Sequence, residues 1–182
     1  MTVAPAPIGV ILTGGASRRM GSDKAFLPVG GRAMVASVAA ALRDGGCERV
    51  VCQGGDAARL GALGLEVLAD DDAGAGPLAA IRTALGRLGG PIVVAACDLA
   101  DLDPASVRAV IAAGAGASVS VAVADGRRHL LSWWGPDSQT PLAALIDDGC
   151  HGYGRAVGLL GAVEVAVVPA AMRNVNCPDD VG

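Results

Sequence analysis

The groups best suited to handling a phosphate are concentrated in Leu12-Thr13-Gly14-Gly15-Ala16-Ser17-Arg18-Arg19-Met20-Gly21-Ser22-Asp23-Lys24. Paired glycines let the main chain pass close to a ligand and turn its N–H groups inward as an anion nest. Arg18, Arg19 and Lys24 add three cations to the same short stretch, which suits a triphosphate. Lys24 is the only lysine in the chain, so it is not one of many solubilising charges. By composition alone, a surface loop with solvated arginines fits the segment equally well. It is not a Walker loop, which needs Lys directly after its second Gly and then Ser or Thr. Here Lys24 stands three places after Gly21 and is followed by Ala25.

A second group is Asp98, the acid that closes the apolar run Pro91 to Ala96. A hard divalent ion such as Mg²⁺ takes one or two carboxylates and completes its shell with phosphate oxygens and water. Asp98 is the candidate metal ligand, with Asp70 or Asp101 available to assist. Asp70 also ends a strand-like run and is an alternative contact for a base or ribose. In Asp70-Asp71-Asp72, a solvated turn accounts for at least two of the three. Gly74-Ala75-Gly76-Pro77-Leu78-Ala79 fits a dinucleotide fingerprint, but the acidic turn before it would repel a pyrophosphate, and Pro77 reads as the first turn of a helix. The five cysteines form no CxxC, and His129 and His151 stand apart, which gives a zinc site little support.

These groups need a frame, and the chain alternates short apolar runs with helical patterns. Strands are expected at Ile8–Leu12, Arg49–Gln53, Leu65–Leu68 and Pro91–Ala96. Helices are expected at Arg32–Asp44, Asp56–Leu63, Pro77–Leu88 and Pro104–Ala113, with Asp103 as N-cap and Gly45 and Gly114 as stops. The last of the four strands is apolar throughout, as in the centre of a parallel sheet. The expected fold is α/β, an open, mostly parallel Rossmann-like sheet with helices on both faces. After Gly116 the rhythm changes. Ser118–Val123 and His129–Trp134 read as a late hairpin about Asp125-Gly126, followed by a helix at Pro141–Ile146 and a strand at Val163–Val168. Gly149–Gly154 (GCHGYG) reads as a flexible linker.

Composition bounds the rest. The 182 residues suit one domain, 1–182, with a nucleotide-binding half over 1–114 and an acceptor half over 115–182. Hydrophobic residues make up 52%, which excludes disorder, yet there are 27 Gly and 36 Ala against two Trp, one Tyr and one Phe. A net charge of -4 with few aromatics offers no nucleic-acid footprint. No apolar run reaches a bilayer span, and the start lacks a signal core, so a cytoplasmic protein is expected. Of the neighbouring Trp133 and Trp134, at most one could stack on a planar ligand, because adjacent strand residues face opposite ways.

TGGASRRMGSDK, GPLAAI, ACD after an apolar strand and a terminal NVN together resemble the molybdenum cofactor guanylyltransferases, MobA-like nucleotidyltransferases. The likeness runs in order from Ile8 to Pro178. It implies a nucleotide-diphospho-sugar transferase type of fold that transfers GMP from GTP to the phosphate of molybdopterin with Mg²⁺, releasing pyrophosphate. It places Leu12, Thr13, Gly14, Gly15, Lys24, Gln53, Asp70 and Asp98 along GTP, with Asp98 also on the metal. It places Asn174 and Asn176 near the pterin. Asp98, Lys24 and Arg19 would neutralise charge during transfer. Partners would be GTP and molybdopterin, then molybdenum-insertion and molybdoenzyme-maturation proteins, with no nucleic acid and no membrane. The chain departs from the family pattern in having Thr13 for Ala, Gln53 for Asn, no Pro after Asp98, and Cys150-His151-Gly152-Tyr153-Gly154 for a more basic segment. A cytidylyltransferase of the same superfamily and a non-catalytic nucleotide- or molybdopterin-binding accessory protein remain open alternatives.

Overall fold

A computed structural model gives the structure of the protein and describes residues 5–14, 24–69 and 74–175. Nine strands and six α-helices occur among them. In chain order they are β1 (Ile8–Leu12), β2 (Pro28–Val29), β3 (Arg32–Ala33), α1 (Met34–Asp44), β4 (Arg49–Gln53), α2 (Ala57–Ala62), β5 (Glu66–Leu68), α3 (Pro77–Leu88), β6 (Ile92–Ala96), α4 (Pro104–Gly114), β7 (Val119–Ala124), β8 (Arg127–Trp134), α5 (Gln139–Asp147), α6 (Tyr153–Leu159) and β9 (Val163–Ala166).

Seven strands form one sheet in the order β5-β4-β1-β6-β8-β7-β9. The β5-β4-β1-β6 half is parallel, and β8 joins antiparallel to both β6 and β7. β9 is again parallel to β7. The expected open, mostly parallel sheet is therefore present, with the late hairpin inserted between β6 and β9. Asp125 and Gly126 close that hairpin with φ of 50° and 69°, the left-handed pair of a type I′ turn.

Helices cover both faces. Val35, Val38 and Leu42 of α1, Leu60 of α2 and Val107 and Val110 of α4 pack on one face with Ile11 and Val93. Leu78, Ile81 and Leu85 of α3, Leu142 of α5 and Val157 of α6 pack on the other with Val10, Val94 and Trp134. Alternate residues of β1 and β6 thus serve opposite layers. With so few aromatics, close approach substitutes for bulk. A Cβ at Gly45 would lie 2.4 Å from Val107 Cγ1, and one at Gly114 would lie 2.3 Å from Trp133 Cδ2. Gly45 has an ordinary φ of -81°, so crowding by α4 requires the glycine there. Gly114 is the last residue of α4 rather than a residue beyond it.

Two expectations change. The helix predicted from Arg32 begins at Met34, because Arg32–Ala33 pair with Pro28–Val29 across a two-glycine turn. The predicted linker runs directly into α6. Gly152 precedes its first turn, and Ala156 and Val157 bury against the sheet, so packing overrides the poor helix propensity of a Gly-rich segment. Cys150 is buried, and the Tyr153 hydroxyl donates to the His129 carbonyl at 3.2 Å, which ties this segment to β8.

Candidate active site

The connections run from β1 outward through β4 to β5, then cross back to β6 on the other flank of β1. The loops after β1 and β6 therefore part at the carboxyl edge, the place where open α/β sheets bind ligands. Leu12 is level with Gln53 on one side and Ala96 on the other. The residues that follow these three positions line the crevice.

Thr13 is the best-fixed of them. Its N–H and that of Gly14 donate to the Gln53 carbonyl at 3.2 and 3.0 Å. Its hydroxyl lies 2.7 Å from the Gly54 carbonyl and 3.2 Å from that of Gln53. Gly55 packs so tightly here that a Cβ would come within 3.0 Å of Thr13 Oγ1. The Gly14 amide, one half of the expected Gly14-Gly15 nest, thus faces β4. Gly15 and the two cations expected beside it, Arg18 and Arg19, lie outside the described residues.

Gln53 is buried, and its Nε2 donates to the Ala69 carbonyl at 3.1 Å. Its Oε1 is enclosed with no hydrogen-bond partner among the described residues. A buried acceptor without a donor costs free energy until something supplies one. Arg87 also donates to Ala69 O, at 2.8 Å, so that carbonyl is held from two sides. Asp70 itself lies outside the described residues.

Asp98 follows β6 on the opposite lip and is half-buried. Burial pushes its carboxyl above the ordinary range, opposed by the charge of Lys24 and by its own backbone N–H. Lys24 opens a short 3-10 turn, Lys24–Phe26. Arg59 of α2 lies 3.7 Å over the Phe26 ring and braces that turn. Asp98 Oδ1 is enclosed with no hydrogen-bond partner among the described residues. An unsatisfied carboxylate oxygen beside a lysine fits a cation. Among the described residues no three His, Cys, Asp or Glu gather to hold a metal, so a metal on Asp98 would need phosphate oxygens to complete its shell.

Asn174 also reaches the crevice, because an antiparallel bridge pairs it with Leu99, next to Asp98. Asn176 lies outside the described residues. The two tryptophans do not belong to the site. Trp134 and Trp133 are level with Ile92 and Val93 at the amino end of β6, and Trp134 is fully buried. Residue-level reading missed the second glycine pair, Gly54-Gly55, although a Gly-Gly directly after an apolar strand is the signal used for Gly14-Gly15. It also missed an open groove of about 550 Å³ beside the hairpin, lined by Val123, Gly126, Arg127, Arg128, Gly154 and Glu164. Arg128 donates to Glu164 Oε1 at 2.7 Å and to the Gly154 carbonyl at 2.9 Å, which fixes one wall.

A mostly parallel sheet with a switch-point crevice, Lys24 beside it and, on the opposite lip, a carboxylate oxygen left unsatisfied among the described residues define a nucleotidyltransferase. The sequence pattern of the MobA-like NTP transferase domain matches residues 9–163, and the chain belongs to that family. A probable molybdenum cofactor guanylyltransferase of Pelotomaculum thermopropionicum is 39% identical over 143 residues, covering 78% of this chain and 64% of that protein. The chain thus spans a little under two-thirds of that relative. The molybdenum cofactor guanylyltransferase of Rhodobacter capsulatus is 32% identical over 177 residues, covering 95% and 92%. The molybdopterin-guanine dinucleotide biosynthesis protein A of Archaeoglobus fulgidus shares the fold with a TM-score of 0.74 at 23% identity, covering 96% and 94%. The chain is a nucleotidyltransferase whose full-length relatives are molybdenum cofactor guanylyltransferases.

Proposed function

We propose that the crevice between β1 and β6 transfers GMP from GTP to the phosphate of molybdopterin, giving molybdopterin guanine dinucleotide and pyrophosphate. The observation that carries this reading is the enclosed Oδ1 of Asp98, without a hydrogen-bond partner among the described residues and near the charge of Lys24, in a chain of this family. An acceptor phosphate oxygen attacks the α-phosphorus of GTP. A new P–O bond forms, the bond to the β-phosphate bridge breaks, and pyrophosphate leaves with the electron pair. No protein nucleophile takes part, so the chain contributes position and charge.

Leu12, Thr13 and Gly14 set the floor along the nucleotide, and Gln53 offers it an unpaired acceptor. Lys24 neutralises the phosphates. Arg19, Gly15 and Asp70 complete the nucleotide side, and Asn174 with Asn176 meets the pterin. Asp98 holds Mg²⁺, which when bound offsets the charge that builds on the phosphates during transfer. Residues 1–114 form the nucleotide half. The acceptor approaches over 115–182, where the hairpin groove lies on the same edge of the sheet, two strand spacings or about 10 Å from β6.

The test is pyrophosphate release measured with each of the four NTPs, with and without molybdopterin. Release with GTP that requires both Mg²⁺ and molybdopterin, and that is lost in Asp98→Asn, is expected. Release with CTP in preference to GTP, or full activity in both Asp98→Asn and Lys24→Ala, refutes the assignment.

A further inference from the structure

The Asp98 carboxylate stands one methylene from its own main chain, and its Oδ1 meets no hydrogen-bond partner among the described residues. Whatever holds the backbone at residue 98 therefore holds the carboxylate. On the strand side, Ala96 ends β6, and Leu99 N–H reaches the Ala96 carbonyl only at 3.5 Å. The firmer restraint comes from far along the chain. Beyond β9, at the distal edge of the sheet, Val167 N–H donates to Val123 O at 3.1 Å. The chain then sinks Ala171 and Met172 into the core and returns across the carboxyl edge to β6. There Val175 N–H donates to the Asp98 carbonyl at 3.0 Å, and Leu99 pairs with Asn174. Val175 is fully buried, so this end of the segment is anchored as well. Arg173 Nε donates to Asp101 Oδ2 at 2.5 Å, which closes the contact on its solvent side.

We propose that Arg173 and Asp101 are positioning residues for Asp98. Their pair clasps the 173–175 segment onto the 98–101 turn, and the clasp sets where the carboxylate stands. The inference rests on the reading of Asp98 as the metal-binding group. It ties the acceptor half to the reacting end of the nucleotide half by main-chain contacts that neither half has alone. The pair is exposed at both partners, so its effect is modest when simply deleted, about two- to fivefold. Reversal to Arg173→Asp, which sets two carboxylates against each other, raises it to about fivefold or more.

The experiment compares the parent, Arg173→Ala, Arg173→Asp, the exchanged pair Arg173→Asp/Asp101→Arg, and Asp98→Asn. Two readouts other than turnover are taken: amide hydrogen exchange at Val175, with Val94 in β6 as the internal reference, and Mn²⁺ binding in the presence of GTP by electron paramagnetic resonance. Expected is faster exchange at Val175 alone and weaker Mn²⁺ binding in Arg173→Ala and more so in Arg173→Asp, with both recovered in the exchanged pair. Unchanged Val175 exchange in Arg173→Asp overturns the clasp. Mn²⁺ affinity lost in Asp98→Asn but untouched in Arg173→Asp overturns the positioning role. Mn²⁺ affinity untouched in Asp98→Asn overturns the metal reading, and the positioning role falls with it. Faster exchange at Val94 together with Val175 shows general loosening and likewise refutes it.

Discussion

Replacing Thr13 by Val keeps the shape of the side chain and removes only its hydroxyl. That hydroxyl lies 2.7 Å from the carbonyl of Gly54, a buried residue whose own N–H already goes to Leu68 O at 2.9 Å. The Gln53 carbonyl keeps the two amides of Thr13 and Gly14, so the loss falls on Gly54. A buried carbonyl left without its donor costs about 1–3 kcal/mol. In a domain of this size each kcal/mol moves Tm by about 2–4 °C, so Thr13→Val should melt about 4–8 °C below the parent when the cost is near 2 kcal/mol. Thr13→Ser keeps the hydroxyl and loses one methyl, which costs about 0.8 kcal/mol and only a few degrees. The same ranking should appear in the KM for GTP, because Gly54 and Gln53 form one lip of the crevice, while kcat should change less. Thermal unfolding and pyrophosphate-release kinetics of both variants supply the measurements. A Thr13→Val protein as stable as the parent, or less damaged than Thr13→Ser, would show that the hydroxyl does not hold the two strand ends together.

Other consequences are open to direct measurement. The carboxylate form of Asp98 is penalised in the ligand-free fold, because burial raises its pKa. That penalty is absent below the ordinary Asp value of about 3.9, where folded and unfolded states are both protonated, and it grows as pH rises through the raised value. Asp98→Asn should therefore gain stability over the parent as pH rises above the ordinary Asp value of about 3.9, and the gain should level off once pH passes the raised value; a Tm difference that does not vary with pH contradicts the burial argument. Burial pushes Cys47 up to about 12 and Cys52 up to about 11, so both thiols should resist iodoacetamide in the native protein near neutral pH; mass spectrometry that finds them alkylated without denaturant overturns this. Gly45→Ala should destabilise by about 1–3 kcal/mol, despite the usual gain from Ala over Gly where the backbone is right-handed, and an unchanged or raised Tm would show that α1 and α4 can move apart freely.

The parallel half of the fold was legible because its signals are local. Pro77 and the Asp103-Pro104 cap mark helix starts that the structure keeps, and the Asp56 side chain caps α2 with bonds of 3.0 and 3.1 Å to Ala58 and Arg59 N–H. What escaped was decided by distant partners. Glycines at 149, 152 and 154 argue against a helix, but Ala156 and Val157 find an apolar face to cover. Gly45 and Gly114 were read as helix stops, whereas the need for them lies in Val107 and Trp133. At the candidate site, Asp98 is marked by its place after the most apolar strand, whereas Thr13 is singled out only by the family resemblance. The partner that holds Asp98 was not legible, because a main-chain bond from Val175 leaves no trace in residue identity. Which face Trp133 and Trp134 present was likewise fixed only by their register against Val93 and Ile92.

The sheet order also constrains how the chain is made. β1 is the first strand of the sheet to be synthesised, yet both of its neighbours come later: Ile8 pairs with Arg49 on one side and with Ile92 on the other. During translation β1 gains one flank when β4 emerges and remains an open edge until β6 follows it. Contacts that span so much sequence close slowly, since each must overcome the entropy of the intervening chain. An unpaired, fully apolar strand such as Ile8–Leu12 is the kind of edge that recruits a foreign strand. Residues 54 to 91 are thus the length of chain over which the nascent protein is most exposed to misassembly, and a ribosome stalled within them should yield a species that depends on chaperones, whereas one released after Ala96 should not.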